Sequence, residues 1–354
     1  MLLFFSPVIR YSCAEMKVLF NCIMPFNLAH GGQQIQVERT KEALLANGVE
    51  VEPLRWWDDK QTGDLIHYFG RMPFDHIDFA HQKGMKVVMA DLLTDTGSRT
   101  PAQLRLQKWI KSFIKRFAPA GLISQFQWRS YETADALVAL TSWEAHLMTY
   151  VFGADPGKTL VVANGVEDVF LQSLAVERGP WLVCTATIAP HKRVLELAEA
   201  AVAARTPLWV IGKAYHESDP YAQRFLNLAR QHSEFVRYEG AIYDRQKLAG
   251  IYRAARGFVL LSAVESQSLS AEEAAGCRCP LLLSDLPWAH STFGAGAAYV
   301  SARGGAAATA AALRHFYDAA PQLPLPRLPV SWLEIGRQLK TIYERTLSGP
   351  VREK

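Results

Sequence analysis

Two glutamates stand eight residues apart in the segment Glu265-Ser-Gln-Ser-Leu-Ser-Ala-Glu-Glu273. The apolar run 257–261 predicts a buried parallel strand before Glu265, and the residues around Glu273 predict the first turns of a helix. The loop between such a strand and helix is where open α/β sheets bind ligands. We therefore expect Glu265 to point into a crevice and the backbone N–H groups of 266–269 to suit a phosphate. Glu273 would reach a neutral hydroxyl group such as that of a ribose. The alternative is that both are solvated helix-end carboxylates.

A glycine pair, Gly31-Gly32, lies between a predicted strand at 17–23 and a predicted helix at 35–47. Glycine lets the backbone approach a ligand closely, and a helix N-terminus offers unpaired N–H donors. A plain turn is the alternative explanation of this pair.

A pair of cations, Lys192-Arg193, precedes a predicted helix at 194–204 and follows a predicted strand at 181–185. Cations at a helix N-terminus oppose the helix dipole. A bound anion at that end would remove the conflict, so we expect these side chains to hold one. The alternative is an exposed pair with no ligand.

The segment 265–285 resembles the retaining GT-B glycosyltransferases of family 4 (glycosyl transferases group 1), whose pattern runs approximately E-G-F-G-L-P-x-x-E-A-M-A-x-G-x-P-V-V-x-S-D. The matching positions are Glu265, Leu269, Glu273, Ala274, Pro280, Ser284 and Asp285. The chain departs at Ser266, Ser268 and Arg278, where the family usually has glycine. Lys192 matches the lysine of the family's G-R-L-x-x-x-K-G segment, and Asn164-Gly165-Val166 matches its P-N-G-V hinge.

The resemblance implies a role for each site residue. Lys192 and Arg193 would hold the donor diphosphate, Glu265 the transferred sugar, and Glu273 the ribose. Asp91 would contact the sugar, an assignment that rests only on its position after a strand. It could equally cap the following loop. Further donor contacts would come from cleft-side loops, at Ser266, Gln267, Ser268, Leu269, Gly212, Lys213, Ala241 and Ile242. The glycine pair Gly31 and Gly32 would contact donor phosphate or acceptor. No D-x-D sequence follows a strand, so we expect no metal.

Strand and helix patterns alternate along the chain and then restart, which predicts an α/β protein. We expect a GT-B fold of two Rossmann-like, doubly wound parallel-sheet domains facing a cleft. Residues 1–15 would be an extension outside the fold, 16–166 an acceptor-binding domain, and 178–330 a donor-binding domain. In the resembled family a terminal helix such as 331–347 crosses back to the first domain.

Composition excludes several classes of protein. The chain has 354 residues, 49% hydrophobic and 20% charged, with a net charge of +4, which fits a folded two-domain protein and is too weak a charge to indicate nucleic acid. Five cysteines without a C-x-x-C pair favour a reducing cytoplasm. No run of about 18 apolar residues predicts a membrane span.

One predicted helix is amphipathic and basic. Its apolar face carries aromatic and aliphatic side chains at helical spacing, and its other face carries cations: Leu106, Trp109, Ile110, Phe113, Ile114 and Phe117 against Arg105, Lys108, Lys111, Lys115 and Arg116. Helices of this kind lie in anionic membrane interfaces. The alternative is that the apolar face packs on the first domain, as in any surface helix.

We therefore expect a cytoplasmic glycosyltransferase, of the hexosyltransferase type, peripheral on the inner face of the membrane. It would move a sugar from a nucleoside diphosphate sugar to a lipid-linked or polysaccharide acceptor in cell-envelope biosynthesis, without a cofactor. The alternatives are an inverting transferase or epimerase of the same fold, or a non-catalytic protein that binds nucleotide sugars.

Overall fold

A computed structural model describes residues 16–22, 26, 31–174, 176–216, 218–301 and 304–349. The predicted extension 1–15 lies outside these residues. The strands are β1 Lys17–Cys22, β2 Glu50–Pro53, β3 Leu65–Phe69, β4 Lys86–Ala90, β5 Ala136–Ala139, β6 Thr159–Val161, β7 Leu182–Thr185, β8 Leu208–Ile211, β9 Val236–Tyr238, β10 Gly257–Leu260, β11 Leu281–Ser284 and β12 Ala298–Val300. The helices are α1 Gly32–Ala46, α2 Phe74–Gln82, α3 Thr94–Gly97, α4 Pro101–Phe117, α5 Ala120–Gln125, α6 Ser130–Thr133, α7 Ser142–Tyr150, α8 Asp168–Leu171, α9 Val194–Ala203, α10 Pro220–Gln231, α11 Arg245–Ala254, α12 Leu269–Gly276, α13 Pro287–Phe293, α14 Ala306–Ala319 and α15 Trp332–Ser348.

The strands form two parallel sheets. The first has the order β2-β1-β3-β4-β5-β6 and the second the order β12-β11-β10-β7-β8-β9. Strands such as β4 and β10 are apolar along their length because helices cover both faces of a parallel sheet, so side chains of both pleats are buried. The predicted α/β fold with two doubly wound sheets is confirmed. The proposed domain boundaries remain predictions.

The terminal helix α15 belongs to the core of the first sheet, although it follows the second in sequence. Ile335 and Leu339 share a buried cluster with side chains of β1 and α1. A Cβ on Gly336 would lie 2.6 Å from the carbonyl oxygen of Ala43, so glycine allows α15 to lie directly against α1. This close packing ties the end of the chain to the first sheet.

Helix α4 leaves much of its apolar face exposed, whereas an ordinary amphipathic helix packs that face against the protein. Its apolar side chains Trp109 and Phe113 are 63% and 51% exposed and stack on each other, with ring centroids 5.7 Å apart. The alternative, in which this face packs on the first domain, is therefore not seen for Trp109 and Phe113 among the described residues. None of the helices in the described ranges is long and apolar enough to cross a membrane.

The cationic face of α4 turns partly towards the protein, which corrects the expectation that Lys111 faces a membrane. Lys111 is buried and donates to the carbonyl oxygens of Val151 and Phe152 at the end of α7, and burial lowers its pKa to about 8. It therefore cannot face a membrane. Lys108 and Lys115 are exposed, with Lys108 Nζ 3.9 Å from the centroid of the Tyr150 ring and Lys115 paired with Glu132.

Candidate active site

A cleft of about 600 Å³ opens between the carboxyl ends of the two sheets. Parallel strands place their following loops at one edge, so loops from both sheets meet here. The structure brings most of the predicted site residues to the lining of this cleft, namely Gly31, Gly32, Lys192, Gly212, Lys213, Ala241, Ile242, Glu265, Ser266, Gln267, Ser268, Leu269 and Glu273.

An ion pair between Lys192 and Glu265 lies in the cleft. Lys192 ends a 3₁₀ turn after β7, and Glu265 lies in the loop after β10. The Lys192 Nζ atom lies 2.5 Å from Glu265 Oε2, and the two side chains are 21% and 13% exposed. A cation and a carboxylate therefore stand together where both can still be reached by a ligand.

Two helix N-termini open on the same cleft. Helix α1 begins at Gly32 after Gly31, which has a φ of 148° and no side chain to cap the helix. Helix α12 begins at Leu269, and a Cβ on Gly32 would lie 3.9 Å from Leu269 Cδ1. Ser268 caps α12 by accepting from the Ala271 N–H at 3.3 Å. The positive ends of two helix dipoles favour an anion in this part of the cleft.

Glu273 is buried beneath the cleft wall and paired with Arg245, a residue that the sequence patterns did not single out. Burial raises the Glu273 pKa, while the Arg245 guanidinium that donates to its carboxylate opposes that rise. Arg245 Nε also donates to Glu167 at 3.0 Å, and Glu167 accepts from Arg39 at the same distance. This chain of charges runs from α1 of the first sheet to α12 of the second, and each of its four residues lines the cleft.

Gly212 permits a close approach of two loops at the cleft edge. Its φ is 150°, and a Cβ there would collide with the carbonyl oxygen of Ala186. The next residue, Lys213, has its Nζ 5.8 Å from the centroid of the Tyr243 ring. Lys213 thus adds a further cation to the lining, near the predicted base-contacting loop at 241–242.

Two predicted residues are not brought to the cleft. Asp91 is buried, accepts from Arg71 Nε at 3.0 Å and from the Tyr131 hydroxyl, and is not among the lining residues. Its carboxylate is therefore engaged within the first domain and does not line the cleft. Arg193 directly precedes α9 with a φ of 53° and is not among the lining residues, so the expected second cation beside Lys192 is not seen in the cleft. Arg245, which pairs with Glu273, lines the cleft instead.

Another lining residue, His191, was also not predicted. Burial, with a contribution from the charge of Lys192, lowers its pKa, so the imidazole is neutral at pH 7. Within the ranges that the structure describes, no cluster of three or more His, Cys, Asp or Glu side chains has the geometry of a metal site. The expectation of metal-independent chemistry stays a prediction.

Part of the sequence matches a known protein family. Residues 179–319, which hold all six strands of the second sheet, match the family model described as glycosyl transferases group 1. A comparison of the sequence with curated proteins gives no match.

Among solved structures, the Anabaena protein Alr3699/HepE, in complex with UDP and glucose, is similar with a TM-score of 0.61 and 13% identity over 94% of this chain and 100% of that one. Sucrose-phosphate synthase from Thermosynechococcus elongatus has a TM-score of 0.65 and 17% identity over 94% and 99% of the two chains. A glycosyltransferase from Rickettsia africae has a TM-score of 0.63 and 12% identity over 95% and 100%.

These structural likenesses cover both sheets, and the family match covers the second. Together they confirm the resemblance that the Glu265 and Lys192 segments carry: the chain has the GT-B fold, and its residues 179–319 match the group 1 glycosyltransferase family.

Proposed function

We propose that the protein is a retaining, metal-independent hexosyltransferase that moves a sugar from a nucleoside diphosphate sugar to a lipid-linked or polysaccharide acceptor. The observation that carries this proposal is the Lys192–Glu265 pair at 2.5 Å, in a cleft onto which two helix N-termini open. A diphosphate and a cationic sugar centre need these two opposite charges at adjacent positions.

The chemistry follows from charge. As the glycosidic bond breaks, negative charge builds on the leaving diphosphate, and Lys192 with the N–H groups at the start of α12 would stabilise it. Positive charge builds on the sugar ring, which Glu265 would face while holding the sugar hydroxyls. The leaving phosphate would take the proton of the acceptor hydroxyl, which delivers the acceptor to the same face of the sugar and retains its configuration.

Glu273 would accept hydrogen bonds from the ribose hydroxyls. Because Arg245 already donates to its carboxylate, Glu273 is held in one position before a donor arrives. The similar protein HepE was solved with UDP and glucose, so UDP-sugars are the first donors to test.

Thermal stabilisation by UDP-, GDP-, ADP- and TDP-sugars tests the donor site. We expect one nucleotide class to raise the melting temperature of the wild type and of Glu199→Ala, a control at an exposed position of α9. Glu273→Gln should lower the starting melting temperature and abolish the ligand-induced shift. Equal shifts in wild type and Glu273→Gln would contradict the ribose assignment, and no shift with any donor would contradict the proposed function.

The exposed apolar face of α4 supports a lipid-linked acceptor and peripheral attachment to the inner face of a membrane. Leu106, Trp109, Ile110, Phe113 and Phe117 are between 42% and 65% exposed. Helix α4 contains no acidic residue, and its exposed cations Arg105, Lys108 and Arg116 complement anionic lipid. A glycosyltransferase of cell-envelope synthesis would meet its acceptor at such a surface.

Flotation with anionic liposomes tests this attachment. The double variant Trp109→Glu/Phe113→Glu should lose binding, because it places two carboxylates where the indole and phenyl rings would enter the interface. The matched control is Leu325→Glu/Leu328→Glu, which alters two side chains that are 47% and 52% exposed elsewhere. Binding that survives the first variant, or that is lost equally in the control, would contradict the membrane assignment.

A further inference from the structure

We propose that Thr94 and Ser98, in and just after the short helix α3 of the first sheet, are positioning residues for Glu265 in the second. This inference rests on the proposed function, because it assigns Glu265 a part in sugar transfer. It concerns a set of contacts that couple closure of the cleft to the geometry of the Glu265 loop.

Three consecutive residues of that loop are held from the first-sheet side. The Glu265 N–H donates to Ser98 Oγ at 3.3 Å, and Ser266 Oγ lies 2.6 Å from Thr94 Oγ1. The Gln267 side-chain oxygen accepts from the Asn164 N–H at 2.8 Å. The backbone that carries Glu265 is therefore fixed by groups that belong to the other half of the molecule.

The first-sheet partners are themselves held in place. The buried carboxylate of Glu144 accepts from the N–H groups of Leu93 at 3.0 Å and Leu140 at 2.9 Å. Trp143 Nε1 donates to the carbonyl oxygen of Gly97 at 2.8 Å. The Ser98 hydroxyl donates to the carbonyl oxygen of Thr94 at 2.9 Å, which aims its lone pairs at Glu265. Helix α3 is thus a braced support rather than a loose loop.

Ser266 gives this chain a contact that the matching family pattern does not offer. The pattern has glycine at this position, which has no hydroxyl, whereas Ser266 is buried and bonded across the cleft. The other substituted glycine, Ser268, serves its own helix as a cap. Of the two serines, only Ser266 is bonded to a residue of the first sheet among the described contacts.

Opening of the cleft would break all three bonds and release Glu265, whereas the donor-binding Glu273 and Lys213 stay on the second sheet. Loss of the Thr94 contact should therefore lower the rate of transfer without weakening donor binding. A hydrogen bond of this kind supports an expected loss of about tenfold in kcat.

The test compares Thr94→Val, Thr94→Ser and Ser266→Ala, with Ser142→Ala as the matched control. Ser142 makes a similar hydroxyl pair with Ser291 of the second sheet at 2.8 Å, away from Glu265. We expect Thr94→Val and Ser266→Ala each to lower kcat about tenfold at unchanged donor KM. The double variant Thr94→Val/Ser266→Ala should lose no more than Ser266→Ala alone, because Ser266→Ala already removes the bond to Thr94. Thr94→Ser keeps the hydroxyl group and should have a kcat close to that of the wild type. Ser142→Ala should leave kcat unchanged.

Hydrogen exchange of the segment 263–268 gives a readout that does not require turnover. Thr94→Val should speed exchange there and Ser142→Ala should not. Additive losses in the double variant, a rise in donor KM equal to the fall in kcat, or unchanged exchange in Thr94→Val would overturn the proposal. A wild type without turnover on any donor would instead contradict the proposed function, while the exchange result would still decide whether α3 holds the Glu265 loop.

Discussion

Replacing Glu265 by glutamine should abolish sugar transfer and yet tighten the binding of the nucleoside diphosphate product. In the unliganded cleft Lys192 is paired with Glu265 at 2.5 Å, so a diphosphate must compete with that carboxylate for the same ammonium group. Glutamine keeps the shape of the side chain and removes its charge. It frees Lys192 and removes the repulsion between a carboxylate and the incoming phosphates.

The magnitude can be worked from charge and exposure. Both side chains are partly exposed, at 21% and 13%. The ion pair therefore makes the free energy of diphosphate binding less favourable by about 1–2 kcal/mol, which is less than it would in a dry interior. This corresponds to about 5- to 30-fold tighter binding of the diphosphate by Glu265→Gln. Lys192→Gln should have the opposite effect, about 30-fold weaker binding, because a charge-assisted contact of about 2 kcal/mol is lost.

Titration calorimetry with the preferred nucleoside diphosphate and its monophosphate measures both effects. The monophosphate, which lacks the terminal phosphate, should respond less to either substitution. If Glu265→Gln weakened the diphosphate, or if mono- and diphosphate responded equally, Lys192 would not be the diphosphate ligand that competes with Glu265.

Further predictions concern stability. Burial raises the pKa of Glu272 from 4.5 to about 7, so its stabilising contribution is complete below about pH 4.5 and is lost as the pH rises through 7. Glu272→Gln should therefore stabilise the protein by about 2–3 kcal/mol at pH 8 and by little at pH 4.5. Denaturant unfolding at the two pH values measures this difference. Gly212→Ala should destabilise by roughly 2–4 kcal/mol and weaken nucleotide binding, because its Cβ would meet the Ala186 carbonyl; unchanged melting would contradict this close approach. Arg278 has a φ of 58° and donates to the Pro326 carbonyl oxygen at 2.9 Å. Arg278→Gly removes both the strain and the hydrogen bond, so its stability should stay within about 1 kcal/mol of wild type. Arg278→Ala keeps the strain and loses the hydrogen bond, so it should be less stable than Arg278→Gly.

The left-handed backbone at Arg278 also explains why the matching family pattern has glycine there. Glycine adopts this conformation without strain, whereas arginine offsets part of its cost through the contact with Pro326. The sequence showed the departure, but the backbone angle and the partner could be known only from the structure.

The strands and helices were largely predictable, because a buried parallel strand appears in the sequence as an apolar run and a helix as periodic apolar residues that follow a capping residue. The strands predicted at 181–185 and 257–261 and the helix predicted at 194–204 each lie within one residue of the observed bounds. Strand β12 was not predicted, since three residues show no periodicity. The Glu265 loop and the Lys192 turn were found because each combined a reactive side chain with a strand end.

Side-chain direction was harder to predict. Asp91 follows a strand on the cleft edge, but its carboxylate turns to Arg71 and Tyr131, which lie 20 and 40 residues away in sequence. Arg245 begins a helix without any motif, and its partners Glu167 and Glu273 are remote. Contacts of this kind depend on the packing of distant elements, and no local pattern reports them.

Helix α4 shows a second limit of sequence patterns. Its periodicity correctly separated an apolar from a basic face, but periodicity cannot say which face meets the protein. Lys111 reaches the last carbonyl groups of α7 and is buried, while Trp109 and Phe113 are left exposed. Which face of α4 is covered therefore had to come from the structure.

Proton NMR of the transfer reaction with an α-linked nucleoside diphosphate sugar tests the proposed function most directly. One spectrum series reports both release of the nucleotide and the configuration at the transferred sugar carbon. We predict an α-linked product from the wild type and no product from Glu265→Gln under the same conditions. A β-linked product, or equal turnover by Glu265→Gln, would contradict the assignment of a retaining reaction that depends on Glu265.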